Sequence, residues 1–117
     1  MSFSLEVRNR GGHSSLPVKD NAIYHLAAGL SRLAQFNFPV KLNETTRAFF
    51  ERMSSIATGQ TATDMIAILK APPDPAAVSR LAVTAHYNAL MRTTCVATEV
   101  QAGHAENALP QKARAVF

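Results

Sequence analysis

The chain has 117 residues, a formal net charge of +4, 47% hydrophobic and 17% charged residues, and one cysteine. These values predict one folded domain, and they exclude a disordered charged tail and an internal disulfide bond. No apolar run reaches the length of a membrane span, and the first residues show no signal-peptide pattern.

The 12 Lys and Arg residues are spread along the chain without a dense run, and few aromatic residues lie among them. This distribution favours solvated faces over a surface that follows a nucleic-acid backbone. Cys95 lies in a strand-like run, and we predict that it packs as a small hydrophobic residue rather than acting as a nucleophile.

The first third of the chain predicts a strand, a loop and a helix. Residues 3–9 alternate apolar and polar, which is typical of a half-buried strand. The loop 11–17 reads Gly-Gly-His-Ser-Ser-Leu-Pro, and its glycines permit positive φ around His13. An amphipathic helix is predicted over residues 21–35, capped by Asp20 or Asn21. Taken alone, this loop favours an ordinary surface histidine in a strand-to-helix connection.

The middle of the chain, residues 43–92, predicts a helical insert. Asn43 caps a helix expected over residues 44–57, and a short helix is expected over residues 63–70. Asp74 and Pro75 then begin a helical region that reaches about Met91. The residues expected on the core face of the first insert helix are Phe49, Phe50, Met53 and Ile56.

The last part of the chain predicts a hairpin, with strands over residues 94–102 and 112–117 and a turn over residues 103–110. Hairpin strands are antiparallel, and the last strand can lie between the other two. The order is therefore β-α-(helical insert)-β-β. We expect an α+β fold in which the strand over residues 94–102 lies at a sheet edge.

Two motifs in this order resemble the dimerization (lid) domain of the zinc-dependent exopeptidases that include aminoacylase and carboxypeptidase S. The first is the Gly-Gly-His-Ser-Ser-x-Pro loop, and the second is Asn-x-x-Pro, which begins at Asn107 and follows Gly103. Met91-Arg92-Thr93-Thr94 is similar to the longer, carboxypeptidase S branch of that family. The resemblance covers essentially the whole chain.

The resemblance implies an incomplete ferredoxin-like fold, with an antiparallel sheet and helices packed on one face. The family's unit has a further helix and strand after the third strand, and it places a substrate-binding arginine just downstream of that strand. Because these parts do not occur in residues 1–117, we expect a fragment of a longer metallopeptidase. The resemblance also implies a homodimer, a zinc cofactor held by a separate catalytic domain, and a peptide or N-acyl amino acid as substrate.

Two residues receive a role from the resemblance. His13 is expected to reach the partner subunit's catalytic site and to donate a hydrogen bond to the substrate oxyanion. Asn107 is expected to bind substrate, although an Asn in a turn before Pro also bonds its own backbone. The other three histidines, His25, His86 and His104, are interpreted as structural or incidental.

No metal-ligand spacing is present in the sequence, so we expect no metal in this fragment and no hydrolysis by the fragment alone. The alternative function is a stand-alone α+β interaction or small-molecule-sensing module, which an independent start and stop of the gene would favour. Nucleic-acid binding by a ferredoxin-like sheet is disfavoured, because residues 94–102 contain no aromatic side chain to stack on bases. Membrane attachment is not expected either.

Overall fold

A computed structural model describes all residues of the chain, 1–117. Contacts between residues divide the chain into two compact units. The first unit, which we call the sheet unit, contains Met1–Phe36 and Cys95–Phe117. The second, which we call the insert, contains Asn37–Thr94. The structure is α+β, as the sequence predicts, with antiparallel strand pairs and five helices.

The sheet unit contains two antiparallel sheets. Strands β1 (Ser4–Arg8), β5 (Lys112–Val116) and β3 (Glu99–Ala102) form the larger sheet in the spatial order β1-β5-β3. Strands β2 (Gly12–His13) and β4 (Ala108–Leu109) form a smaller, two-stranded sheet. The last strand therefore lies between the other two, and β3 occupies an edge, as expected.

Helix α1 (Ala22–Gln35) packs on one face of the larger sheet, in contact with β1 and β5. It begins at the predicted cap, where the Asn21 side chain accepts a hydrogen bond from Ile23 N–H at 2.8 Å. Its buried face is made of small and aliphatic residues, so the helix approaches the alanines of β5 closely. The buried core of this unit is Ala22, Leu26, Ala113 and Ala115.

The insert consists of four helices, α2 (Glu44–Ser54), α3 (Gly59–Ala67), α4 (Pro75–Leu81) and α5 (Ala85–Met91). Helix α2 begins with a capping box, in which Asn43 and Thr46 satisfy each other's backbone N–H groups. Asp74 caps α4 from the residue before Pro75, as predicted. The insert has a core of its own, made of Phe50, Met65, Ile68, Ala77, Leu81 and Met91.

The two ends of the insert lie side by side. Lys41 N–H donates to the Met91 carbonyl at 2.8 Å, and Arg92 Nη1 donates to the Phe38 carbonyl at 3.0 Å. When the two ends of a segment lie close together, the segment can be inserted into a loop without displacing the helix and strand that the loop connects. The insert accordingly lies within the connection between α1 and β3.

Three sequence expectations need correction. The strand expected over residues 94–102 is regular only over Glu99–Ala102, the residues that pair with β5. The third helix begins at Gly59 and ends at Ala67, earlier than expected. Ile56 is 71% exposed rather than in the core, because α2 ends at Ser54.

None of the helices is both long and apolar enough to cross a bilayer.

Candidate functional site

The two sequence motifs lie against each other in the structure. Strand β2 pairs with β4, so that His13 lies opposite Ala108 and Gly12 lies opposite Leu109. Beyond this pairing, Ser14 N–H donates to the Asn107 carbonyl at 3.0 Å. The Gly-Gly-His loop and the Asn-x-x-Pro segment therefore form one backbone-bonded structure, although about ninety positions of sequence separate them.

Glycine is required in this structure by its backbone angles and by its neighbours. Gly11 has φ of +78° and Gly12 has φ of +147°, conformations that residues with a Cβ rarely adopt. A Cβ on Gly11 would lie 2.6 Å from Cγ of Gln111, closer than non-bonded carbon atoms approach each other. The Gln111 side chain covers this turn by donating from Nε2 to the Arg10 carbonyl at 3.3 Å.

The hydrogen bonds of His13 define its tautomer. Ser15 N–H, which can only donate, lies 3.1 Å from His13 Nδ1, and Ser15 Oγ lies 2.7 Å from the same atom. Nδ1 is therefore the accepting nitrogen, and a neutral imidazole must carry its proton on Nε2. The side chain is exposed, and Nε2 has no partner in the chain. The loop thus presents one free N–H donor.

Asn107 uses its backbone, and not its side chain, to hold the structure together. Its carbonyl accepts from Ser14 N–H, while its exposed side-chain amide makes no hydrogen bond within the chain. The alternative in which this amide bonds its own backbone before Pro110 does not occur here. The amide offers two N–H donors and one carbonyl acceptor beside the His13 loop.

A surface cavity of about 510 Å³ lies next to the loop, and its walls include Gly11, Gly12, Asn9 and Asp20. Asp20 Oδ1 lies 2.7 Å from His25 Nε2. Hydrogen bonding by the Asn9 side chain, and then by His25, holds the pKa of the Asp20 carboxyl below its ordinary value. The wall of this cavity therefore carries a carboxylate at neutral pH.

The remaining histidines and the cysteine do not assemble into a site with His13. His25 is bonded to Asp20, and the ring of His86 meets that of Phe49 edge-on at 6.0 Å. Cys95 is a half-buried free thiol. No group of three or more His, Cys, Asp or Glu side chains is arranged to hold a metal ion, so the residues of this chain do not fit a zinc site.

The chain matches the family of the M20 peptidase dimerisation domain over residues 1–117. It therefore belongs to that family, and its role is to join the subunits of a peptidase. No curated protein and no solved structure matches the chain. The family match agrees with the resemblance drawn from the two motifs, and it favours a peptidase domain over a stand-alone sensing module.

Sequence reasoning missed the pairing of β2 with β4 and the contact of Ser15 with His13. A two-residue strand shows no periodicity, so neither short strand gives a pattern signal. The glycines before His13 and the proline after Leu109 mark turns, and turn signals do not say which distant segment a turn meets.

Proposed function

We propose that this domain belongs to a zinc-dependent exopeptidase or amidohydrolase that hydrolyses peptides or N-acyl amino acids, and that it delivers His13 to the catalytic site of the other subunit. The domain supplies no metal ligand and no general base. Its contribution is a subunit interface together with polar groups that approach the substrate from the partner.

The observation on which this proposal rests is that Ser15 N–H occupies Nδ1 of His13, which leaves Nε2 as an unpartnered donor. Amide hydrolysis passes through a tetrahedral intermediate in which the carbonyl oxygen gains negative charge, and an N–H donor fixed at that oxygen stabilises it. One such donor contributes on the order of 3–4 kcal/mol to catalysis. Ser15 keeps the proton on Nε2, and the β2–β4 pairing fixes the backbone that carries the ring.

Asn107 complements His13 in this proposal. Its unbonded amide lies on the segment that is paired with the histidine loop. An amide can donate to a substrate carboxylate or carbonyl and can accept from a substrate N–H. We therefore assign Asn107 to substrate binding and His13 to the reacting carbonyl oxygen.

The test is His13→Ala in the intact peptidase that contains this domain. We expect kcat to fall by roughly 10²–10³, with a smaller effect on KM, because the hydrogen bond strengthens as charge develops on the oxygen. His13→Gln, which retains an N–H donor on a flexible side chain, should recover part of the lost activity. His86→Ala, which changes an exposed histidine of the insert, should leave kcat unchanged.

Mixed dimers test delivery from the partner subunit. Subunits with His13→Ala are combined with subunits whose own catalytic centre is inactivated, and half of the sites in a mixed dimer then receive an intact His13. Activity that returns on mixing supports the proposal. Near-normal kcat in the His13→Ala homodimer would show that His13 is an ordinary surface histidine.

A further inference from the structure

A second polar cleft lies on the sheet unit, at the end of the hairpin formed by β3 and β5. It has a volume of about 340 Å³, within the range of small-molecule sites. Its polar walls are the side chains of Gln101, His104, Gln111, Lys112 and Arg114, and no Asp or Glu lines it. We call it the basic cleft.

The register of the strands places the two permanent cations of the cleft together. Lys112 and Arg114 are exposed, whereas Ala113 and Ala115 are buried under α1, so both cations project from the opposite face of the sheet. Residues two apart on a strand are separated by about 7 Å, close enough for both side chains to reach one group. Gln101, a neutral hydrogen-bonding residue, lies directly opposite Arg114.

Neither cation is neutralised by an ion pair. The ion pairs of the chain are Arg8–Glu6, His25–Asp20 and Arg80–Asp64. Glu6 lies opposite Arg114 in the register, but its Oε1 is bonded to Arg8 Nε at 2.6 Å. The hydrogen bond from Arg8, assisted by the nearby charges of Lys112 and Arg114, holds the pKa of Glu6 below its ordinary value.

Glu99 is the other carboxylate on this face of the sheet. It lies two residues before Gln101 on β3 and opposite Val116. It forms no ion pair with Arg114. The cleft itself therefore contains side-chain amide groups and two cations that form no ion pair, and the charge of Glu6 acts on these cations from outside the cleft.

We propose that the basic cleft binds the oxyanion group, a carboxylate or a phosphate, of a small molecule. Arg presents a planar set of donors that matches two oxygens of such a group, and Lys adds a point charge beside it. The side chains of Gln101 and His104 form no hydrogen bond within the chain, so they are available to the rest of the ligand. A nucleic acid is the weaker candidate, because no Phe, Tyr or Trp lines the cleft.

This site is independent of the role proposed for His13 and is tested by binding alone. Sodium phosphate and, separately, sodium N-acetylglycinate are titrated into the 117-residue chain at constant ionic strength, followed by amide resonances in two-dimensional NMR. We expect saturable shifts at Gly103, His104, Lys112 and Arg114. Saturation by phosphate alone identifies a phosphate site, and saturation by N-acetylglycinate identifies a carboxylate site.

Matched variants separate a site from general charge attraction. Lys112→Gln combined with Arg114→Gln should weaken binding at least tenfold. Arg52→Gln combined with Lys70→Gln removes the same charge from exposed positions of the insert and should change binding less than twofold. Linear shifts that never saturate with either anion would overturn the proposal. Equal weakening by the two double variants would overturn it as well.

Discussion

Gly11 and Gly103 have almost the same backbone conformation, with φ of +78° and +76°, but different surroundings. A Cβ on Gly11 would meet the side chain of Gln111, whereas a Cβ on Gly103 would meet nothing within 4 Å. Both glycines therefore avoid backbone strain, and only Gly11 also makes room for a neighbouring residue. In the histidine loop, glycine at position 11 therefore provides space for Gln111 as well as the backbone conformation.

Alanine substitutions at these two glycines separate strain from crowding. A Cβ in the left-handed region costs roughly 1–2 kcal/mol, a penalty common to Gly11→Ala and Gly103→Ala. Gly11→Ala must also displace Gln111 and its hydrogen bond to Arg10, so it should lower the free energy of unfolding further. Urea denaturation measures both values. In a Gln111→Ala background the two substitutions should become equally costly, and an unchanged difference would contradict the contact with Gln111.

His13 shows how much of the candidate site the sequence predicts. Its place on a glycine loop between a strand and a helix follows from turn residues and periodicity, which are local properties. The donor at Nε2 does not follow from them, because it depends on whether Ser15 N–H points at the ring. The position of Asn107 beside this loop depends on long-range pairing, to which no local pattern corresponds.

At the scale of elements, helices α3 and α4 are joined by a buried carboxylate. Asp64 is only 2% exposed and accepts two hydrogen bonds from Arg80, from Nε and Nη2, each at 2.8 Å. Gln60 Nε2 donates to the same carboxylate at 2.8 Å. The hydrogen bonding by Arg80 outweighs burial and lowers the pKa of Asp64. A buried carboxylate with matched donors therefore links two helices of the insert.

This linkage predicts a pH-dependent stability of the insert. Because the folded pKa of Asp64 is depressed, its contribution is fully present above the ordinary aspartate pKa of about 3.9 and is lost as pH falls through the folded value. Asp64→Asn should lower the Tm of the helical signal at pH 7, and the difference from the native chain should shrink in acid. Glu51→Gln, at an exposed carboxyl without an ion pair, is the control. A Tm difference that stays constant with pH would contradict this role.

The sequence predicts the helices of this chain more accurately than its strands, because the ends of helices depend on residues that are adjacent in sequence. The caps at Asn21, Asn43 and Asp74 are sequence-adjacent interactions, and all three occur as expected. Strand β3 is regular only over Glu99–Ala102, the residues that pair with β5, and the β-branched Thr94 and Val96 lie outside it. Strand propensity indicates where a strand can form, and pairing decides where it ends.

At the scale of the whole molecule, the chain consists of two units with separate cores, and both functional proposals fall on the sheet unit. The core of the sheet unit contains two alanines of β5 beneath α1, and this helix contacts β1 and β5. Val100, on the edge strand β3, is consequently 58% exposed, and Val96 just before it is 71% exposed. An unpaired strand edge next to exposed apolar side chains is suited to pairing with another chain. In a dimerisation domain, the chain that pairs with this edge is a second copy of the same domain.

The backbone of β3 gives a sharp test of that interface. Gly103 N–H donates to the Lys112 carbonyl, so the alternation of an antiparallel ladder directs the N–H groups of Glu99 and Gln101 towards β5 and that of Val100 towards the free edge. Val100→Pro removes this outward N–H without breaking the bonds to β5. We expect it to weaken self-association at least tenfold in sedimentation equilibrium, while Val100→Ala, which shortens the side chain and keeps the N–H, retains the dimer. A Val100→Pro chain that dimerises like the native one would place the interface elsewhere on the domain.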